Sequence, residues 1–153
     1  MLVSGPKVFT DVCKYQHYKD LQKILRRIKM PQGRVMYFEL PADDPKRAIA
    51  FYEKVIGWTI TKWEAPMDYW LVTTGPDDEP GINGAIMPRR MPEQVTVNTI
   101  SVASVDDFTK KIVDAGGNVM VPKMAVAGQG YLAYCTDTEG NVFGVMEMDP
   151  SAK

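Results

Sequence analysis

Histidine and cysteine are scarce in this sequence, and their scarcity limits the chemistry it can perform. Only one of the 153 residues, His17, is a histidine. A zinc or iron site built from several histidines is therefore excluded, and a histidine-based catalytic triad would require His17 itself as the base. Cys13 and Cys135 are the only cysteines, and they stand far apart in no metal-binding spacing. We expect both to be reduced thiols with a structural role only.

The sequence also lacks an excess of charge and a long apolar run. Its 18 basic and 19 acidic residues give a formal net charge of −1, which argues against a nucleic-acid partner. It has no run of about 18 apolar residues to span a membrane, and its N-terminus lacks the pattern of a secretory signal. We therefore expect a cytoplasmic protein that folds as one main domain.

Residues 1–30 differ in pattern from the rest of the chain. They place apolar residues at helical spacing, with basic residues between them: Val12, Tyr15, Leu21, Ile24, Leu25 and Ile28 are apolar. This predicts an amphipathic, basic helical extension before a domain at 31–150. Its role is open between a packing or solvated helix, a partner contact and a mitochondrial presequence, although Asp11 and Asp20 argue against the last. Met30 is an alternative start of the domain.

From Arg34 onward, short β-type runs alternate with helical patterns, which predicts an α+β domain. The first predicted strand is Val35–Leu40. Asp43 and Asp44 precede Pro45, which suits the first turn of a helix. That helix buries Ala48, Phe51, Tyr52 and Val55 in this prediction and ends at Gly57. Three further strands follow at Trp58–Trp63, Tyr69–Thr73 and Ile82–Met87.

The second half of the sequence repeats this order. A strand at Thr99–Ala103 is followed by a helix that starts near Asp106 and Asp107 and ends at Gly116. The remaining predicted strands are Val119–Val121, Tyr131–Thr136 and Val142–Met148. The repeat predicts two tandem βαβββ modules, at about 34–90 and 95–148, within a single domain.

Three stretches carry a resemblance to a known family: FELPADDPKRAIAFYEKVIGW from Phe38, VASVDDFTKKIVDAGG from Val102, and DTEGNVFGVME from Asp137. Together with the tandem modules, they resemble the vicinal oxygen chelate superfamily, which includes glyoxalases, bleomycin-resistance proteins and dioxygenases. The resemblance implies a glyoxalase/bleomycin-resistance-like curved sheet in which two modules enclose a pocket. Members of this superfamily commonly pair their modules within or between chains, which makes a homodimer the expected assembly.

Metal-dependent members of the superfamily hold a divalent ion on the first and fourth strands of each module. Carried over to this sequence, the four positions fall on Tyr37, Gly84, Ile100 and Gly144, none of which is a histidine or a carboxylate. We therefore predict a metal-free subgroup with no cofactor. The first strand also lacks the arginine that helps glyoxalase I bind glutathione. A metal-dependent glyoxalase or dioxygenase is accordingly disfavoured.

The resemblance nevertheless implies a pocket for a small organic molecule. Its predicted lining is Tyr37, Glu39, Trp70, Asn98, Tyr131 and Tyr134. Glu39 is the candidate catalytic residue, since a carboxylate on an inward strand face is costly unless it is paired or functional. The same observation also fits pairing with Arg or Lys, or outward exposure.

Three hypotheses about function remain open. In the leading one, Glu39 transfers a proton in a lyase-like or isomerase-like reaction, with Tyr37 and Asn98 orienting a carbonyl. In the second, the pocket only sequesters a drug-like compound, as bleomycin-resistance proteins do. The third is a regulatory module that acts through the N-terminal helix. The tract AGQG, Ala127–Gly130, is a candidate mobile cover for the pocket.

Overall fold

A computed structural model describes residues 32–64 and 67–153. The predicted N-terminal helix, together with His17 and Cys13, lies outside the described residues. Neither helix of the described ranges is long and apolar enough to cross a membrane.

The described residues form eight strands and two helices, and the predicted α+β class is confirmed. The first half contains β1 (Val35–Ala42), α1 (Pro45–Val55), β2 (Thr59–Lys62), β3 (Trp70–Thr73) and β4 (Asn83–Pro88). The second half contains β5 (Val97–Ser101), α2 (Val105–Asp114), β6 (Asn118–Val126), β7 (Gly130–Thr136) and β8 (Val142–Met148). Their order along the chain is the one that the periodicity predicts.

All eight strands belong to one mixed sheet in the order β2-β3-β4-β1-β5-β8-β7-β6. The strands β1 and β4 pair in parallel, as do β5 and β8, while the remaining neighbours are antiparallel. The strands β1 and β5 therefore lie side by side at the centre, with Glu39 opposite Val97. A residue at the middle of β1 is thus flanked by strands from both halves of the sequence.

Polar caps define where the two helices begin. The side chain of Asp44 accepts a hydrogen bond from the Arg47 amide at 3.1 Å, and Pro45 occupies the first turn. At α2 the cap is Ser104, whose hydroxyl accepts from the Asp107 amide at 3.2 Å, so Asp107 lies in the first turn. The Asp44 carboxylate therefore has a structural role as a helix cap, whereas at α2 the capping side chain is that of Ser104.

Both helices pack on the same face of the sheet, which we call the helix face. Under α1 a buried cluster forms around Phe38, Val72 and Ile86. Under α2 a second cluster forms around Val105, Cys135 and Val145, with Val102 and Ala133. Apolar side chains at alternate strand positions supply this layer, as the period of two requires.

The structure corrects the prediction that Phe51 and Val55 are core residues. Phe51 is 55% exposed and Val55 is 59% exposed, whereas Tyr52 and Trp58 pack against the cluster under α1 and stack with ring centroids 4.8 Å apart. A helix that covers a sheet buries only one stripe, and Phe51 lies beside that stripe.

The AGQG tract is also different from the predicted cover. It contains a three-residue turn between β6 and β7, where Gly128 has a φ of 71°. The Gly128 amide donates to the carbonyl of Ala152, and the Gln129 carbonyl accepts from the amide of Asp149. A turn this short and this well anchored is a hairpin connection and not a lid.

Candidate functional site

Strand alternation divides the sheet into the helix face and the face opposite the helices, which we call the site face. On β1, Phe38 and Leu40 pack under α1. Tyr37 and Glu39 alternate with them and therefore point to the site face. The facing pairs across the sheet place Asn83, Ala85, Val97 and Thr99 on this face as well.

The Glu39 carboxylate is the centre of a hydrogen-bonded cluster on the site face. Its Oε1 accepts a hydrogen bond from the Tyr69 hydroxyl at 3.0 Å, and its Oε2 accepts one from the Tyr134 hydroxyl at 2.7 Å. The hydroxyls of Tyr69 and Tyr37 lie 3.4 Å apart. We call these four residues, Tyr37, Glu39, Tyr69 and Tyr134, the tyrosine–glutamate cluster. Hydrogen bonds of this kind, with one charged partner, are stronger than neutral ones.

The cluster draws residues from distant parts of the sheet. Glu39 comes from the central strand β1, Tyr69 from the residue just before β3, and Tyr134 from β7. Tyr134 stands beside Gly144 across the β7–β8 ladder, and Gly144 stands beside Thr99. Because Gly144 carries no side chain, nothing from β8 stands between Tyr134 and the centre of the site face at this level.

All three tyrosines of the cluster hold their protons strongly. Burial raises the pKa of Tyr37 to about 12. Burial and the charge of Glu39 raise the pKa of Tyr69 and of Tyr134 well above the ordinary value of 10. At neutral pH the hydroxyls are therefore O–H donors and not bases.

Within the described residues, Glu39 forms no ion pair. The ion pairs found there involve other carboxylates, such as Asp43 with Arg89 and Asp68 with Lys62. The expected alternatives of pairing with Arg or Lys and of outward exposure do not describe this half-buried carboxylate. Its charge is stabilised by hydroxyl groups instead.

Three of the six residues predicted to line the pocket lie on the site face, namely Tyr37, Glu39 and Tyr134. The other three do not, which corrects that part of the prediction. Trp70 packs against the cluster under α1, and Tyr131 packs against the cluster under α2 with Lys123 Nζ 4.5 Å from its ring centroid. Asn98 faces Phe38 across the β1–β5 ladder and therefore belongs to the helix face.

Tyr69 is a residue of the cluster that was not predicted from the sequence. It begins the predicted strand Tyr69–Thr73, but the inward position on that strand was assigned to Trp70, one residue away from the correct one. A shift of one residue exchanges the two faces of a strand. The available signal was the apolar alternation of Trp70 and Val72, since both pack on the helix face with Ile86.

The four positions carried over from metal-dependent relatives lie on different faces of the sheet. Tyr37 and Gly144 lie on the site face. Gly84 and Ile100 do not: a Cβ on Gly84 would stand 2.5 Å from the Phe38 ring, and Ile100 packs under α2. The β1–β5 pairing is irregular between Val35 and Tyr37, and counting back from the helix starts cannot reveal such an irregularity.

The residues that face this site do not fit a divalent metal ion. The four central strands present Tyr37, Glu39, Asn83, Ala85, Val97, Thr99, Gly144 and Met146. Glu39 is the only one of these eight that carries a carboxylate, and the Asn83 side-chain oxygen already accepts from Thr74. Protein sites for such ions use several nitrogen, sulfur or charged oxygen ligands. Within the described residues no group of three or more His, Cys, Asp or Glu is placed to hold a metal.

Gly144 could not be replaced by a ligand without rearrangement. A Cβ there would lie 2.7 Å from Thr99 Oγ1 and 3.3 Å from a Leu132 methyl group. The space that a side chain at residue 144 would need is therefore already occupied by Thr99 and Leu132. Glu147, the nearest carboxylate on β8, is on the helix face, where it accepts a hydrogen bond from the Val105 amide at 2.9 Å.

Comparison with known proteins identifies related sequences. Residues 34–145 match the profile of a family described as the Glyoxalase/Bleomycin resistance protein/Dioxygenase superfamily. A protein named "Putative glyoxylase CFP32" is 30% identical over 120 residues, in Mycobacterium bovis and in Mycobacterium tuberculosis alike. The match covers 77% of this chain and 45% of each relative, so the chain spans about half the length of the relatives it matches.

Solved structures share the fold at low sequence identity. A methylmalonyl-CoA epimerase solved with methylmalonyl-CoA has a TM-score of 0.60 and 12% identity, covering 80% of this chain and 99% of that one. The methylmalonyl-CoA epimerase of Mycobacterium tuberculosis has a TM-score of 0.60 and 11% identity, covering 82% and 96%. Identities this low support the shared fold alone.

Proposed function

The chain belongs to the Glyoxalase/Bleomycin resistance protein/Dioxygenase superfamily, and from this premise we propose that it binds a small organic molecule on the site face without a metal ion. We propose further that Glu39 acts there as a proton acceptor in a lyase-like or isomerase-like reaction. The observation that carries the proposal is the half-buried Glu39 carboxylate, held by the hydroxyls of Tyr69 and Tyr134.

The cluster has the groups that proton transfer next to a carbonyl requires. A carboxylate has about four lone-pair sites, and the two tyrosine hydroxyls use two of them. A remaining lone pair of Glu39 can take a proton from the carbon beside a carbonyl, and the electron pair of that C–H bond then moves toward the carbonyl oxygen. The Tyr37 hydroxyl does not bond to Glu39, and its raised pKa keeps it protonated, so it can donate to the developing oxyanion.

The fate of the electron pair decides the reaction class. Return of the proton from Glu39 to a neighbouring carbon gives an isomer, whereas return to the same face of the original carbon regenerates the substrate. Loss of a leaving group from the adjacent carbon gives a lyase reaction, with the proton of Glu39 passing to the leaving group or to water. In neither case do Tyr69 and Tyr134 exchange protons, because their pKa values lie far above neutral pH.

A second candidate function is binding without turnover, in which the site sequesters an organic compound. One observation favours it: both oxygens of Glu39 already accept a hydroxyl, and such hydrogen bonds stabilise the charge that a base must give up. The two candidates share the same site and differ in whether Glu39 changes its protonation state.

The sheet order supports the tandem-module interpretation. Strands β1 to β4 occupy one half of the sheet and β5 to β8 the other, with matching parallel pairs β1–β4 and β5–β8. We propose that residues 34–90 and 95–148 form two βαβββ modules that share the site. A homodimer and a cytoplasmic location remain predictions.

Deuterium exchange on carbonyl compounds tests the catalytic proposal. Compounds that raise the melting temperature of the chelator-treated protein would be incubated with it in D₂O, and proton NMR would follow exchange beside the carbonyl. We expect Glu39→Gln to slow exchange by about 100-fold or more, since general bases contribute on this order. Glu53→Gln is the matched control, because Glu53 is an exposed residue of α1.

Each outcome separates the two candidates. Exchange that depends on Glu39 supports turnover, whereas tight binding without exchange supports sequestration. Metal analysis of the purified protein is run in parallel. A stoichiometric ion whose removal abolishes exchange or binding would contradict the metal-free proposal.

A further inference from the structure

Two buried hydroxyl groups lie on the site face beside the tyrosine–glutamate cluster. Thr99 is 5% exposed and Ser101 is 3% exposed, and they are the buried polar residues of the described ranges. Both belong to β5 and stand two residues apart, so their side chains point to the same face. That face is the site face, because Thr99 stands opposite Tyr37 and Ser101 stands beside Met146. The buried polar groups of this part of the chain are therefore concentrated at the candidate site.

Neither hydroxyl has a partner in the described part of the chain. The side chains of Thr99 and Ser101 form no hydrogen bond there, yet no fully enclosed polar side-chain atom of these ranges lacks a partner. The two oxygens are therefore reachable from the site face, although the rest of each residue is buried. A hydroxyl in a buried environment loses free energy when it is unpaired, so each favours a ligand atom that accepts its hydrogen bond.

The pairing of β1 with β5 orders these groups with respect to Glu39. The two strands are antiparallel, with Glu39 opposite Val97 and Tyr37 opposite Thr99. Ser101 lies two residues further from Glu39 along β5. Residues on one face of a strand follow each other at intervals of about 6–7 Å, so the site face presents the carboxylate, then Thr99, then Ser101 at regular steps.

Glycine and methionine residues of β8 surround the two hydroxyls. A Cβ built on Gly144 would lie 2.7 Å from Thr99 Oγ1, so the hydroxyl of Thr99 lies over Gly144 and not under another side chain of β8. Met146 is 7% exposed, stands beside Ser101 and adds apolar surface at the same level. The hydroxyls are thus isolated polar groups on an otherwise apolar part of the site face.

The charges near the site favour a neutral ligand. The residues that the four central strands present on the site face include the carboxylate of Glu39 and no lysine or arginine. Burial and the charge of Glu39 raise the pKa of Tyr134 more than the charge of Arg90 lowers it, and Arg90 is exposed and screened by water. An acidic group bound at the hydroxyls would be repelled by Glu39, whereas a neutral oxygen would not.

We infer that Thr99 and Ser101 are ligand-binding residues, and that the ligand is a neutral carbonyl compound with a further oxygen atom in its carbon chain. Its carbonyl lies at the tyrosine–glutamate cluster, and its second oxygen accepts a hydrogen bond from these hydroxyls. The inference rests on the proposed function, because it names the chemical class of ligand for the same site. It holds for either candidate function, since it concerns recognition and not turnover.

Two ketones that differ in one chain atom test the inference. The ligands 5-methoxypentan-2-one and heptan-2-one are both neutral and have nearly the same shape, but only the first has an ether oxygen. NMR titration of the backbone amides of β1 and β5 would measure the binding of each to the full chain. We expect the ether to bind at least about threefold more tightly, whereas apolar burial alone would favour heptan-2-one. The anion 5-oxohexanoate should bind most weakly of the three.

Variants without the hydroxyls identify what produces this preference. Thr99→Val keeps the shape of threonine, and Ser101→Ala removes the second hydroxyl. The double variant should bind the two ketones equally or favour heptan-2-one. The variants Thr99→Ser and Ser101→Thr keep a hydroxyl at each position and should retain the preference for the ether. The matched control is Thr59→Val, because Thr59 is an exposed residue of the edge strand β2.

Thermal denaturation separates a binding role from a structural one. A hydroxyl that is hydrogen-bonded within the fold stabilises it, so its removal lowers the melting temperature, whereas removal of an unpaired hydroxyl does not. We expect Thr99→Val and Ser101→Ala to melt no more than about 2 °C below the unaltered protein. A larger fall for both variants would assign the hydroxyls to the fold and overturn the inference.

Two binding results would also overturn it: equal affinity of the unaltered protein for the two ketones, and a preference for the ether that the double variant retains. An ether that causes no shift in β1 or β5 has the same meaning. The proposed function fails separately, if no carbonyl compound binds or undergoes exchange that depends on Glu39, whether or not it has a second oxygen.

Discussion

The two faces of the sheet differ in what covers them and in the groups they hold, although both have buried residues at the centre, such as Ile86 on the helix face and Ala85 on the site face. On the helix face Val72, Ile86 and Val145 are at most 1% exposed and pack in apolar clusters. On the site face, Leu71 is 38% exposed and Glu39 bonds to two tyrosines. Neighbouring residues such as Leu71 and Val72 thus lie on opposite faces and differ in burial, with Leu71 exposed and Val72 buried.

This difference indicates that the helix face mainly stabilises the fold and that the site face holds the polar groups of the candidate site. Burial of apolar area is the main source of folding free energy, and the two apolar clusters both lie on the helix face. The site face is freed to hold a charged group that an apolar core would exclude. Substitutions on the two faces should therefore separate stability from ligand binding.

The largest effect is expected from Ile86→Ala on the helix face. Ile86 is completely buried, and its truncation leaves a cavity, so the free energy of unfolding should fall by about 2–5 kcal/mol. Leu71→Ala on the site face is the matched control and should cost less than about 1 kcal/mol. Urea denaturation of both variants measures the contrast. Equal losses would show that the site face is as well packed as the helix face.

Alkaline pH should destabilise the protein through the site face. The pKa values of Tyr37, Tyr69 and Tyr134 are raised on folding, so their contribution is complete below pH 10. Above pH 10 the unfolded chain releases protons that the folded protein keeps, and the free energy of unfolding falls by up to about 1.4 kcal/mol per pH unit per tyrosine. The loss continues to about pH 12 for Tyr37 and beyond it for the other two.

Denaturation curves between pH 9 and 12 measure this slope. Tyr134→Phe should make it shallower, because one of the three retained protons is removed. An unchanged slope for Tyr134→Phe would indicate that its hydroxyl is not held as described.

A methyl group at Gly144 sharpens the comparison within the site face. Its Cβ would lie 2.7 Å from Thr99 Oγ1, so Gly144→Ala should lower the free energy of unfolding by about 1–3 kcal/mol. Adding Thr99→Ala removes that oxygen and should recover part of the loss. A double-mutant cycle from thermal denaturation measures the coupling. Simple additivity would argue against this contact.

The smallest stability effect is expected for Tyr134→Phe at neutral pH. Loss of this hydrogen bond should cost about 1.5 kcal/mol, the low end for a bond to a charged group, because the half-buried carboxylate keeps Tyr69 as a donor. Circular dichroism at increasing temperature provides the measurement. A loss as large as that of Ile86→Ala would make the cluster a main source of stability and would break the distinction between the faces.

The order of elements and the importance of Glu39 are both predictable from the sequence. Period-two and period-3.6 patterns identify each strand and helix. A carboxylate within an apolar strand indicates a residue that is either paired or functional. The partners of Glu39 are harder to predict. The alternation of β3 was assigned one residue out of phase, which favoured Trp70 over Tyr69, and Tyr131 and Tyr134 could not be distinguished by composition.

By itself, the sequence determined the α+β class, the positions of the eight strands and the family to which the chain belongs, because these depend on local patterns and motifs. Only the tertiary structure decided that Tyr69 and Tyr134 meet on Glu39, and that Gly84 and Ile100 face the helices. These facts depend on strand register and on one irregularity in the β1–β5 pairing. A shift of one residue turns every side chain of a strand to the opposite face. The register is set by pairing with neighbouring strands, so it cannot be read from the sequence of one strand alone.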